Sequence, residues 1–419
     1  MRNLIHKIGT NSEAKTIGEN IISLSIIHLC SYLFSLITIP YLTRVIGANC
    51  FGLLAFSTTV ISYFQTITDW GFQLSAVRDV AQNRNEKRKV SDIFSNVMNC
   101  RLLLMAFCYI VLSLLIYFIP NFRSSALVLY LTSLILPGFV FFPTWFFQGI
   151  ERMKYITIFN FIFKLIFTIL IFVVIRKQED YILQPVLLAV GSFVVGVISI
   201  YLIVYKWGYR WHLTSYKEIV STLKDSFDIF VNTILPQFYN SFSQILLMAW
   251  SGPVACGIYA AADKFNALMV QAIRVLSGAF FPYLARKIER HTFYSTIYLT
   301  TSFCGFAFLL IASPLLVYIF LTDEFEDAIL IMRILSFSLL FTALQNVWGT
   351  NYLILLHYDR IVRNVNIFGS IFGFIISFPL VFNWGVVGVA LTVTLTNMII
   401  GVTLFYMGYH TKCKLKFKK

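Results

Sequence analysis

Charge is scarce in this chain: Asp, Glu, Lys and Arg make up 12% of its 419 residues, about half the ~25% of a soluble domain. Hydrophobic residues reach 58% and the mean hydropathy is +0.78, which excludes a soluble globular protein and predicts an integral membrane one. Alternating apolar and polar positions are missing too. The long unbroken apolar runs predict helices and exclude a barrel. No GxxxxGK[ST] loop is present, so ATP hydrolysis is not expected, and HExxH and GxSxG are equally absent. The seven cysteines (30, 50, 100, 108, 256, 304, 413) show no paired spacing, so neither a disulfide framework nor a metal site is indicated. No cofactor is expected.

Acid is the scarcer sign: 33 Lys and Arg face 19 Asp and Glu, a net +14. That surplus is cut into short clusters between apolar runs, which argues against nucleic acid. The apolar runs fall near 17–43, 51–76, 92–119, 124–148, 155–175, 181–205, 222–250, 255–281, 292–321, 327–355, 361–382 and 384–409. Twelve spans are therefore expected. The first is too long for a signal h-region and should be retained. Alternate loops differ in basic residues, with 24 on the side of both termini, 4 on the other (Arg44, Arg123, Arg176, Lys177) and 5 within spans. Both termini are therefore expected in the cytoplasm. Trp70, Trp145, Trp207, Trp211, Trp250 and Trp384 fall near span ends, as an interfacial belt would require. The acidic stretch 323–327 reads as a solvated loop.

A repeat recurs at an offset of 205 residues. Gly47 and Gly52 map to Gly252 and Gly257, IFKLIF (162–167) to IFGSIF (367–372), and Gly196, Val197 and Tyr201 to Gly401, Val402 and Tyr406. The expected organisation is a six-helix bundle over 1–205, a cytoplasmic linker over 206–221, a second bundle over 222–410 and a basic tail over 411–419. Two parallel six-span halves around a central cavity are the transporter architecture this implies.

Polar residues inside spans are costly and mark either interhelical bonds or a wet cavity. Asn20, His28, Ser31, Ser35 and Thr38 share one helical face; Ser62, Gln65, Asp69 and Gln73 share another. Asp228, Asn232, Pro236, Asn240 and Gln244 form a third stripe, and Lys264, Gln271 and Arg274, with Asp263 and Asn266 alongside, a fourth. Asp69 with Arg101 or Arg274, and Asp263 with Lys264, read equally well as structural pairs. Lys164 has no acid within a turn of its helix, so its partner lies on another span or on a ligand. The cations Lys164, Lys264, Arg274 and Arg101 are the candidates for binding an anionic headgroup. Asp69, Asp228 and Asp263 are candidates for coupling to H+ or Na+, and Pro236 for a hinge.

PYLTRVIG at 40–47, FG at 51–52, DWGF at 69–72 with RDVA at 78–81, and QGIERMKY at 148–155 complete the pattern. With these motifs the sequence resembles the polysaccharide-transport branch of the multidrug/oligosaccharidyl-lipid/polysaccharide exporter superfamily, and within it the O-antigen flippases (Wzx). The resemblance implies a MATE-like fold of two six-helix bundles around a cationic cavity. It also implies flipping of an undecaprenyl-pyrophosphate-linked repeat unit across the bacterial inner membrane, beside an O-antigen polymerase and a chain-length regulator. Arg44, Asp69 and Arg78 are the motif residues carried over. The alternatives are a drug or cation antiporter of the same superfamily, which should favour acidic walls, and an intramembrane polymerase or glycosyltransferase. The latter should show a larger outer loop than the roughly ten residues found here.

Overall fold

The computed structural model describes the backbone of residues 2–417, with side chains for residue 34 and for 37–414 except 279, 282, 283, 285 and 286. Every element among them is helical: α1 (Arg2–Asp69), α2 (Phe72–Gln82), α3 (Lys87–Phe118), α4 (Ala126–Ser133), α5 (Ile135–Phe141), α6 (Thr144–Gly149), α7 (Met153–Val174), α8 (Leu183–Tyr201) and α9 (Tyr216–Ile234) come first. α10 (Phe242–Arg286), α11 (His291–Phe320), α12 (Ala328–Leu344), a π-helix (Gln345–Ile354) and α13 (Asp359–Phe417) follow. Nine stretches among the described residues are long and apolar enough to cross a membrane. On α3 the exposed residues Leu103, Phe107, Ile110 and Leu114 recur at three- and four-residue steps, the stripe a lipid-facing helix presents.

At 1.5 Å per residue, 45 helical residues would run about 68 Å, more than twice the ~30 Å hydrocarbon core. α1, α10 and α13 are each two helices joined at a left-handed glycine: Gly47 (φ 71°), Gly252 (φ 80°) and Gly385 (φ 51°). Only glycine takes that conformation without strain. Two of the three breaks are the pair that the 205-residue offset had aligned.

The chain forms two compact units. One comprises Met1–Tyr41 and Ile61–Thr233, the other Leu42–Val60 and Ile234–Lys419. Residues 42–60 thus pack with the second unit although both of their flanks belong to the first.

The first unit centres on Phe72, Phe94, Val97, Trp145, Phe146 and Phe147, with Trp207, Tyr209 and Trp211 packed against them. Trp145 is fully buried, a core residue rather than part of the interfacial belt expected, whereas Trp207 and Trp211 are half-buried and Trp250 and Trp384 are exposed. Trp207, Tyr209 and Trp211 lie in the stretch expected to be linker, which is fastened along α3. The Arg210 N–H donates to Ser91 Oγ (3.1 Å) and the His212 N–H to Ser95 Oγ (3.1 Å), while Asn99 Nδ2 donates to the His212 carbonyl (2.9 Å) and accepts from Trp211 through Oδ1 (3.1 Å). Two extended residues advance about 6.6 Å and four helical residues about 6.0 Å. Alternate residues of the segment therefore meet successive turns of α3.

In the second unit the duplicated segments meet each other. A Cβ on Gly52 would lie 1.8 Å from the Pro253 carbonyl oxygen, and one on Gly257 would lie 2.3 Å from that of Ala48. Pro253 and Ala48 are themselves 205 residues apart, so the contact is reciprocal. Gly278, by contrast, is helical and its Cβ would meet nothing within 4 Å among the described residues. Gly52→Ala and Gly257→Ala should each destabilise the protein by about 1–3 kcal/mol through overpacking, whereas Gly278→Ala should stabilise it by up to about 1 kcal/mol. Thermal unfolding of the three variants in detergent checks the contrast.

Candidate functional site

Two of the four cations expected to bind a headgroup occupy very different surroundings from the other two. Arg101 on α3 is fully buried: Nη2 donates to the Phe139 carbonyl (3.1 Å), Nη1 to the Val140 carbonyl (3.3 Å), and the guanidinium lies 4.8 Å from the Phe139 ring centre. The cause is Pro143, whose missing N–H would otherwise have served the Phe139 carbonyl four residues back. Next in line, the Thr144 N–H turns to Phe142 instead of Val140 (2.9 Å). Arg101 replaces both lost donors at the α5–α6 break. It is a fold residue here, a correction to its expected place in a cavity wall. Lys164 is half-buried on α7 and has a partner.

Lys264 and Arg274 on α10 are both exposed, with half-buried Gln271 on the same face. Neither makes an ion pair or hydrogen bond among the described residues. Lys264 feels the charge of neighbouring Asp263, and Arg274 lies near Tyr298. Ten residues separate them, about 15 Å along the axis. Asp263 is half-buried beside them and takes a hydrogen bond from the Asn266 side chain, which reaches Ser338 Oγ at 3.4 Å.

The other acids and amides divide similarly. Half-buried Asp69 closes α1 and accepts the Gln73 N–H (3.4 Å), a cap on α2, and Gln73 Oε1 accepts from Thr144 (3.0 Å). Its charge acts on Arg101 through space, without direct contact. Gln65 is half-buried one turn earlier. Asp228 and Asn232 are exposed on α9, and the Asn232 amide is spent on the Asp228 carbonyl (2.9 Å). The stripe they were to share with Asn240 and Gln244 is broken, because α9 ends at Ile234 before Pro236 and only a short turn, Gln237–Asn240, follows. Asn240 is exposed, whereas Gln244 is a fastener: it accepts from Thr59 (2.9 Å) and donates to Cys256 Sγ (3.4 Å). His28, with Asn20, Ser31 and Ser35, lies outside the described side chains.

The motif residues hold the fold. In DWGF, Trp70 donates from Nε1 to the Leu223 carbonyl (2.9 Å) and stacks on Phe230 (4.0 Å, 10°), while a Cβ on left-handed Gly71 would lie 2.8 Å from Ile229. Phe72 enters the core. Exposed Arg78 pairs with Asp79 (2.9 Å). In QGIERMKY, Gly149 abuts Val80, Glu151 pairs with Arg84, and Arg152 lies over the Trp207 ring (4.5 Å). In PYLTRVIG, exposed Arg44 donates to the Ile319 carbonyl (2.6 Å).

Two features were missed. The ten-residue π-helix carries Asn351, fully buried, whose amide donates to Ser277 Oγ and Tyr294 OH (2.7 Å each); Gln345, Asn346 and Asn351 so close together in a span were the available signal. π-Helical turns are frequent at functional sites. The acids of the 323–327 loop are exposed, as expected, but Glu324 also accepts the Ala48 N–H (2.8 Å), and neighbouring Phe325 is fully buried. No group of three potential metal ligands occurs among the described residues. A cavity of about 160 Å³ lined by Ser75, Asp79, Asn96, Thr222, Asp225 and Ser226 lies in the first unit.

Stability separates the two kinds of cation. Arg101→Met should cost about 2–6 kcal/mol by leaving two carbonyls unsatisfied, and less when Pro143→Ala restores an N–H. Arg274→Ala should stay within about 0.5 kcal/mol. Unfolding of the purified variants and of the double variant measures both.

Residues 17–288 match the family described as polysaccharide biosynthesis protein. A provisionally named O-antigen transporter of Escherichia coli (strain K12) is 24% identical over 399 residues, 93% of this chain and 96% of that protein; one of Shigella dysenteriae is 27% identical over 91% and 97%. Among solved structures, the lipid II flippase MurJ in an inward closed conformation superposes with a TM-score of 0.72 at 14% identity, covering 92% of this chain and 86% of that one. An outward-facing multidrug resistance MATE transporter of the MOP superfamily gives 0.59 at 15%, covering 96% and 97%. The resemblance read from the motifs is thus matched by family and by fold, and the chain belongs to the polysaccharide biosynthesis protein family.

Proposed function

We propose that this protein is a flippase for lipid-linked oligosaccharides, carrying undecaprenyl-pyrophosphate-linked O-antigen repeats from the cytoplasmic to the periplasmic leaflet of the bacterial inner membrane. The observation that carries the reading is the exposed pair Lys264 and Arg274, flanking Gln271 on a predominantly apolar span. An unpaired cation in hydrocarbon costs at least about 2.5 kcal/mol. Such a face is stable where it meets water or an anion. Lysine offers a point charge and arginine a planar fork suited to phosphate oxygens, while Gln271 can meet sugar hydroxyls between them. The polyprenyl tail stays in lipid throughout.

Twelve passes fit the helices: nine apolar stretches, of which the three longest (Ile37–Gln82, Tyr216–Gly278, Asp359–Lys414) are each broken at a glycine and hold two. The matching backbone at Gly47 and Gly252 supports duplicated halves. With the basic loops inside, both termini are cytoplasmic. The named relatives and the MurJ-like fold support a transporter rather than an enzyme. A cation antiporter would present carboxylates where this face presents Lys264 and Arg274. The product leaflet is where an O-antigen polymerase and a chain-length regulator would receive it.

Lys264→Glu and Arg274→Glu should each abolish outer-leaflet delivery, read as loss of surface polysaccharide with the protein still in the membrane. Normal polysaccharide in both variants removes the proposal. Energy would come from H+ or Na+ moving through Asp69, Asp263 or exposed Asp228. In vesicles, Asp263→Asn or Asp228→Asn should uncouple transport from the ion gradient; unchanged gradient dependence in both rules those sites out.

A further inference from the structure

Of the basic residues expected within spans, Arg101 belongs to the fold, Lys264 and Arg274 form the proposed headgroup face, and Lys164 has a partner. Arg333 on α12 is the one left. It is exposed, and so are Leu330 one turn before it and Phe337 one turn after it on the same face. On α11, the exposed residues around Ser313 are Ile311, Leu315 and Tyr318. These are the side chains a helix pair turns to lipid. Phe337 packs on Phe306 (4.8 Å) and the Arg333 Nε donates to Ser313 Oγ (3.3 Å), so the stripe runs along the seam between α11 and α12.

Ser313 is itself held in place. Pro314 leaves the Leu310 carbonyl without its helical donor, and the Ser313 hydroxyl donates there (3.3 Å), which keeps its oxygen available as the acceptor for Arg333. One end of the guanidinium is thereby fixed. Nη1 and Nη2 bond nothing among the described residues, and although Glu326 and Asp327 are exposed at the start of α12, no ion pair joins either of them to Arg333. A cation so placed in hydrocarbon is costly. It lies five residues beyond Ala328, about 7.5 Å along the axis, within reach of the headgroup layer for a side chain that snorkels.

We propose that Arg333 is a lipid-binding residue whose Nη fork holds the phosphate of an anionic phospholipid of the phosphatidylglycerol type. The leaflet is the one at the 321–327 end of α11 and α12, by the basic-residue count the non-cytoplasmic one. A planar fork with its Nε already committed presents two parallel N–H groups to phosphate oxygens. A zwitterionic lipid brings its own ammonium to compete for that phosphate, so a net negative headgroup is favoured. The site needs neither the transported substrate nor its direction of movement.

The test uses the full-length protein with photoreactive p-benzoylphenylalanine replacing Leu330, in vesicles of equal parts phosphatidylglycerol and phosphatidylcholine, with the lipid adducts counted by mass spectrometry. Phosphatidylglycerol should exceed phosphatidylcholine about tenfold, as a charge-assisted hydrogen bond implies, and Arg333→Gln should bring the ratio to within about twofold of unity. Arg333→Lys keeps the charge but not the fork, and should retain no more than about a third of the preference. Equal adducts in the parent, or a parent ratio in either variant, overturn the site. The same probe replacing Phe107, on the lipid-facing stripe of α3, should show no preference; a tenfold one there reports attraction to the net charge and overturns it too. Polyprenyl pyrophosphate added at the same mole fraction should leave the phosphatidylglycerol adduct unchanged, and loss of that adduct gives the site to the transported lipid instead. No step requires transport, so a failed lipid site is distinguishable from a failed flippase assignment.

Discussion

Every carbonyl and amide that the bilayer cannot solvate must find a partner inside the protein, and the breaks in these helices are placed where a partner exists. Pro137 removes the N–H that would have met the Ser133 carbonyl, and Tyr109 OH donates to it instead (2.9 Å). Pro143 does the same to Phe139, and Arg101 answers. Pro314 frees the Leu310 carbonyl, and Ser313 Oγ donates to it from the same helix (3.3 Å). At the end of α7, Tyr41 OH donates to the Ile175 carbonyl (2.7 Å). Four different side chains perform one function, each chosen by reach.

The duplicated segments show the same constraint solved in two ways. After Gly47 the first helical residue is Ala48, whose N–H needs an acceptor and has Glu324. After Gly252 the first helical residue is Pro253, which has no N–H to satisfy and whose fixed φ suits a helix start. The copies therefore share a backbone but not a cap. The carboxylate solution ties its copy to another loop, while the proline solution leaves its copy self-sufficient. An alignment of repeats reveals the shared glycines, and this difference in bonding is what gives the two halves distinct attachments.

Much of the fold was legible because it depends on quantities a sequence carries directly. Apolar run lengths mark the membrane-crossing stretches, and glycines at a common offset mark two of the three left-handed breaks. The site was less legible because a polar residue in a span declares its cost but not its direction. Arg101 looked like a cavity cation, since the proline that requires it lies 42 residues away and on another helix. Pro236 hid a boundary: four polar residues and this proline at helical spacing read as one face, yet the helix stops before the proline. Ser91, Ser95 and Asn99 were invisible as a docking strip, because their partner is an extended segment more than 100 residues later. The π-helix depends on hydrogen bonds to a fifth neighbour, for which side-chain pattern gives no signal beyond crowded amides.

The motifs that carry the family resemblance are largely this bonding made visible. Asp69 caps, Trp70 stacks, Gly71 makes room, Arg44 closes a helix end and Gly149 clears a side chain; none of these contacts depends on what is transported. Lys264, Gln271 and Arg274 lie outside every motif. A cation whose terminal nitrogens are taken by freed carbonyls has been assigned to the fold, whatever span it occupies. One that keeps its donors on an exposed face of an apolar helix has not, and its desolvation must be offset by something the helices do not supply. By that criterion Arg101 and Arg274, the same residue type in spans of similar hydropathy, fall on opposite sides, and the anion proposed here is what would complete the second.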